Sequence, residues 1–153
     1  MRFVDIQETE FGSALDPTPY LEWLEQSGDE LPEGAAAFAR DPGHYKFGDR
    51  CMKSLYLDSV VLEPGDGGIG ARVVFRGPGE EGTPRLVIHY EGVTEFSVLL
   101  DSEAEIGALY RGLRYVLLDE ILPAGSQCSH EIRFVLGTIR IACLDLDAEW
   151  CAA

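Results

Sequence analysis

Positive charge is scarce in this chain: 12 Lys and Arg stand against 27 Asp and Glu in 153 residues, a formal net charge of -15. Such a surface repels phosphates and anionic headgroups, so direct binding to nucleic acid or to a membrane surface is disfavoured. No run of 18 apolar residues occurs, and the opening MRFVDIQETEFG has acids where a signal peptide needs its apolar stretch, which predicts a cytoplasmic protein. CxxC, HxxxH, HExxH, GxSxG, Walker and kinase signatures are all missing, so no cofactor is expected and no catalytic set stands out. The glycines of GDGGIG lie between two strand-like runs rather than between a strand and a helix, and read as a hairpin turn. The four cysteines, Cys51, Cys128, Cys143 and Cys151, lack the secretory context of a disulfide framework and are expected to remain thiols.

What is present fits one globular domain over residues 1–153, long enough to bury a core unaided. The first 50 residues form an acidic, helical segment. Up to Glu33 there are nine acids against the single base Arg2. Asp16 or Thr18 can cap a short helix with proline in its first turn and a packing stripe of Tyr20, Leu21, Trp23 and Leu24, stopped by Gly28. A second short helix follows from Pro32 through EGAAAFAR, anchored by Phe38 and ended at Asp41-Pro42-Gly43.

From Lys53 the hydrophobic period becomes two, the spacing of strands, and residues 53–150 form an antiparallel β core. SLYLDSVVLE and GARVVFR make a hairpin, the latter with Ala71, Val73 and Phe75 inward. RLVIHYEGVTEFSVLL, with Leu86, Ile88 and Tyr90 on one side, fits two strands or one strand bent at Glu91-Gly92. A capping-box pattern in DSEAEIGALYRG predicts a short helix near residues 102–111. HEIRFVL sets His130, Ile132, Phe134 and Leu136 against Glu131 and Arg133, and TIRIACLDLDAEW reads as one closing strand whose Asp145, Asp147 and Glu149 face solvent. Six or seven strands with short connections predict a mainly β, α+β fold: an antiparallel sandwich or partly closed barrel carrying two N-terminal helices.

Cys128-Ser129-His130 offers a thiol and an imidazole suited to zinc or to a nucleophile and base pair, and a closed metal site would need Cys51, Cys143, His44 or His89 to fold alongside. Two isolated candidates do not make a site, and no metal is predicted. His44 is read as part of a loop pinned by Tyr45 and Phe47, His89 as a partly exposed strand residue, and Asp119-Glu120 as solvated strand-edge carboxylates.

The order KSLYLDSVVLEPGDGGIGARVVFRG, RLVIHYEGVTEFSV, HEIRFVLGTIRIACLDLDAEW resembles small β-rich bacterial immunity proteins of polymorphic toxin systems and related uncharacterised families. The likeness covers residues 53–150 in outline, and implies a non-enzymatic domain that neutralises a toxin by occlusion. Charge adds that the partner should be a basic protein, gripped by Glu22, Glu25, Asp29 and Glu30 at the front and Asp145, Asp147 and Glu149 at the end. The alternatives are a Cys/His metal-binding or hydrolytic domain on Cys128 and His130, and a small-molecule carrier built as a β barrel.

Overall fold

A computed structural model describes residues 1–9, 12–46, 48, 50–65, 67–79, 83–101 and 112–151, with the side chains of residues 8, 9, 12 and 13 left aside. The helix expected near residues 102–111 lies outside the described residues, as does Phe47.

A hairpin of β1 (Asp5–Thr9) and β2 (Gly12–Asp16) opens the chain. Helix α1 (Thr18–Ser27), a 3-10 turn (Gly28–Glu30) and α2 (Glu33–Ala39) follow. The hairpin escapes the sequence pattern because few of its side chains are apolar enough to mark an inward face. Asp16 begins α1 from just outside it: its Oδ1 accepts the Thr18 N–H at 2.9 Å, and Pro17 occupies the cap position itself. Tyr20 and Leu24 are buried as the stripe requires, and Phe38 anchors α2, but Leu21 is exposed.

The core is two four-stranded antiparallel sheets. The first runs in the order β10 (Asp145–Cys151), β5 (Arg85–Glu91), β4 (Gly68–Arg76), β3 (Tyr56–Gly65). The second runs β6 (Glu95–Leu100), β9 (Gly137–Cys143), β8 (Gln127–Phe134), β7 (Val116–Ala124). Val73, Phe75, Leu86, Ile88 and Tyr90 of the first sheet share one hydrophobic core with Ile121, Ile132, Phe134, Ile139 and Ile141 of the second. Phe75 and Phe134 stack across the layers with centroids 6.5 Å apart. The architecture is therefore a sandwich, not a closed barrel.

Two alternating stretches, one read as two strands or one bent strand and the other as a single strand, change sheets along their length. Gly92, with φ +58, lets the chain leave β5 for β6, and a bend at Leu144 takes it from β9 to β10. The break at Leu144 and the separate β1–β2 hairpin bring the described residues to ten strands where the alternation suggested six or seven. The other corner is held by backbone hydrogen bonds from Ser54 N–H to the Val116 carbonyl and from Val116 N–H to the Leu55 carbonyl, both 2.8 Å.

Candidate functional site

Strand β7 lies at the edge of its sheet, yet six consecutive residues, Val116 to Ile121, are buried. An edge exposes unpaired N–H and C=O groups that must find partners. The N-terminal third of the chain supplies them. The Tyr20 hydroxyl donates to the Ile121 carbonyl at 2.6 Å and accepts the Ile121 N–H at 3.0 Å, and the Tyr45 hydroxyl donates to the Asp119 carbonyl at 3.2 Å. The Glu120 carboxylate accepts the backbone N–H groups of Arg2, Phe3 and Val4 at 2.6, 2.6 and 2.8 Å.

This overturns the solvated reading of Asp119 and Glu120. Both are buried, Glu120 beneath residues 2–4, which bond to its carboxylate, and Asp119 on the opposite, inward face of β7 against His44 and His130. The residue pattern held the clue: two carboxylates sit inside VLLDEIL, where neither face is otherwise polar.

Asp119 is the centre of a buried polar chain. Its oxygens accept from His44 Nε2 at 2.8 and 2.9 Å, and Oδ2 also accepts from His130 Nε2 at 2.9 Å. His44 Nδ1 lies 2.9 Å from the Phe38 carbonyl, and His130 Nδ1 lies 2.8 Å from the Tyr90 hydroxyl. Counting donors assigns the protons. Both neighbours of the His44 ring can only accept, so both its nitrogens carry hydrogen and the ring is an imidazolium. His130 donates through Nε2 to Asp119, and its Nδ1 pairs with the Tyr90 hydroxyl, a group that both donates and accepts.

Burial alone would discharge both members of the ion pair, and the local interactions outweigh it. For Asp119, the charge of His44 and hydrogen bonds from both histidines hold the carboxyl well below the usual carboxylate range. For His44, the charge and hydrogen bond of Asp119, the Phe38 carbonyl and the charge of Asp41 raise the imidazole above its ordinary 6.5. The cation is sandwiched between aromatic rings, with Tyr45 stacked at 4.2 Å and Phe38 tilted at 4.3 Å. His44 is thus fixed by an ion pair beneath its loop, where the sequence suggested aromatics alone.

The relative exposures of His44, Asp119 and His130 are 1%, 0% and 0%. Among the described residues, every buried side-chain nitrogen and oxygen has a partner within the protein. The arrangement joins three layers: α2 through Phe38, the second sheet through Asp119 and His130, and the first sheet through Tyr90. What it does chemically is hold a charge pair dry and lock these layers in register.

Cys128 and His130 share the inward face of β8, where the SQCSH run had left their directions open, but they do not combine. Cys128 meets Cys143 with sulfurs 3.6 Å apart, while His130 spends both nitrogens on Asp119 and Tyr90. Of the other ligand candidates, His89 is exposed and Cα-paired with Arg72 and Asp147. No group of three or more metal-ligating side chains is found among the described residues.

The expected partner-binding acids divide. Glu22, Glu25, Asp29 and Glu30 are all exposed on α1 and the turn after it, and Asp29 accepts from Arg40 at 2.8 Å. On β10, Asp147 and Glu149 are exposed, but Asp145 is not a free surface carboxylate. It accepts the Gly34 and Ala35 N–H groups at 3.0 and 2.9 Å and so caps α2, whose own cap position holds a proline with no side-chain oxygen to offer.

Beside the α1 acids lies an open cleft of about 360 Å³ between α1 and residues 39–46. Leu21, Leu24, Ala39, Pro42 and Tyr45 form its apolar wall, and Glu25, Asp41, Arg40 and Lys46 its charged lining. The exposed Leu21, out of place in a buried stripe, belongs to this cleft. Among the described residues no helix is long and apolar enough to cross a membrane. A scan against models of protein families finds no match to this chain, and a search of curated proteins finds none either.

Proposed function

We propose that the chain is a protein-binding domain that covers a basic partner, in the manner of a cytoplasmic immunity protein occluding a toxin. The observation that carries this reading is the α1 face, where Glu22, Glu25, Asp29 and Glu30 stand exposed beside an apolar cleft. Apolar contact at the centre and complementary charge at the rim is how specific interfaces combine affinity with fast encounter. The surplus of acids over the whole chain supports the same partner and argues against nucleic acid.

The buried His44, Asp119, His130 and Tyr90 chain serves this reading as scaffold. It fixes Tyr45, which lines the cleft and bonds to Asp119, and the α2 segment around Phe38. The test uses purified proteins encoded beside this gene, mixed with the full chain at about 50 mM and about 500 mM salt. One of them is expected to bind at low salt and to be weakened at high salt. Binding to none of them at low salt refutes the proposal.

A further inference from the structure

The proposed function uses none of the four described thiols, and two of them, Cys128 and Cys143, lie together. Cys128 is the second residue of β8 and Cys143 the last of β9, directly opposed in the antiparallel register. Their sulfurs are 3.6 Å apart, both residues are fully buried, and neither is in a disulfide. Directly opposed antiparallel residues have Cα atoms about 4.5–5.5 Å apart, inside the range of about 4.4–6.8 Å that a disulfide spans. From this juxtaposition we propose that Cys128 and Cys143 are a site of reversible oxidative modification, a dithiol that a hydroperoxide converts to a cross-strand disulfide.

Either thiol can donate the hydrogen bond between them. When one sulfur ionises the other becomes its donor, an arrangement that lowers the Cys128 thiol and raises the Cys143 thiol, with burial adding to the rise at Cys143. Cys128 is the sulfur these directions favour for attack. Its thiolate takes one oxygen of the peroxide, the O–O bond breaks, and the departing hydroxide collects the proton Cys128 gave up, leaving a sulfenic acid and water. The Cys143 sulfur then displaces the sulfenic oxygen, which leaves with the Cys143 proton as a second water while the S–S bond forms. Two thiols and one peroxide become one disulfide and two waters, the two electrons passing from sulfur to oxygen.

Access comes from the position of the pair. It closes the end of the β8–β9 ladder, beside the Gly125 turn and the Leu144 bend where the chain changes sheets. Ladder ends open locally at far lower cost than the whole domain. The other described cysteines, Cys51 and Cys151, lie outside this ladder.

The folded full chain is treated with hydrogen peroxide, then denatured in iodoacetamide and weighed intact. The untreated protein takes four alkyl groups, whereas the oxidised protein is expected to take two. A mass loss of about 2 Da before alkylation, a linked Cys128–Cys143 peptide after digestion, and reversal by dithiothreitol should accompany it. A Cys51→Ser/Cys151→Ser variant keeps the reaction, and Cys128→Ser abolishes it. Four alkyl groups after treatment, linkage through Cys51 or Cys151, or oxygen addition at Cys128 without linkage would each overturn the proposal. If Cys128→Ser fails to fold, the Cys51→Ser/Cys151→Ser variant still decides, since its only possible disulfide within the chain is the one proposed.

Discussion

Asp119 carries more of the interior than any other polar residue, because two histidines from opposite ends of the chain depend on one carboxylate. Replacing it with Asn removes the charge that stabilises the His44 imidazolium and leaves a cation in a dry site. Breaking a buried pair from one side typically costs about 3–5 kcal/mol, so Asp119→Asn should lower the midpoint of urea unfolding sharply. His44→Gln is expected to destabilise too, and the two losses should not add, since each alone already breaks the pair. The sign of the pH dependence follows from the two shifts. Asp119 is held below its ordinary 3.8, so its stabilising contribution is present above that value and disappears as the medium becomes more acidic. His44 is raised above 6.5, so its contribution is complete below 6.5 and fades as pH climbs through the raised value. Unfolding measured against pH should therefore show greatest stability from about pH 4 to about pH 6.5, with the decline above that missing from His44→Gln. Of this network the sequence displayed only part. His130 and Tyr90 were legible as inward-facing by alternation, whereas His44 lies in a loop with no period, and its partner stands 75 positions further on.

Secondary-structure elements were legible where one face is buried and the other wet. Strands β4, β5 and β8 alternate as read, and α2 ends where Asp41-Pro42-Gly43 says it should. Exposure was misread where a strand is covered on both faces, as at Asp119 and Glu120 of β7, and sheet membership where one alternating run crosses from sheet to sheet, as at Leu144. A run of period two fixes facing but not which sheet a residue belongs to, so Asp145 looked like a surface acid while it caps a helix in another layer. Asp145→Ala should cost about 1 kcal/mol, the usual cost of a lost N-terminal cap, and should raise amide exchange in residues 33–39 before it raises exchange in β5. Gly34→Ala should be worse. A Cβ there would sit inside contact distance of the Leu146 carbonyl, and backbone cannot yield as a flexible side chain does. At β7, Glu120→Gln keeps the shape but loses the charge and one acceptor, so about 1.5–3 kcal/mol of anchoring for residues 2–4 should go. The expected sign is faster proteolysis of the β1–β2 hairpin with the sandwich still folded.

For the whole molecule, the sandwich and its acidity divide the work between inside and outside. The closed fold holds an ion pair and a dithiol in its interior, and the α1 face carries acids beside an apolar cleft. That division was half visible in the composition, since a chain with this surplus of acids must solvate most of them. Composition does not say which acids are spent internally, and Asp119, Glu120 and Asp145 are. The most direct measurement takes the gene-neighbour protein that binds and titrates it calorimetrically against the wild type and against Glu22→Lys/Glu25→Lys/Glu30→Lys, leaving Asp29 to its Arg40. With about 1 kcal/mol for each reversed rim charge, the triple variant should bind about 100-fold more weakly at low salt, and its affinity should depend less on salt than that of the wild type. An unchanged affinity at low salt would contradict the assignment of the α1 face as the binding surface.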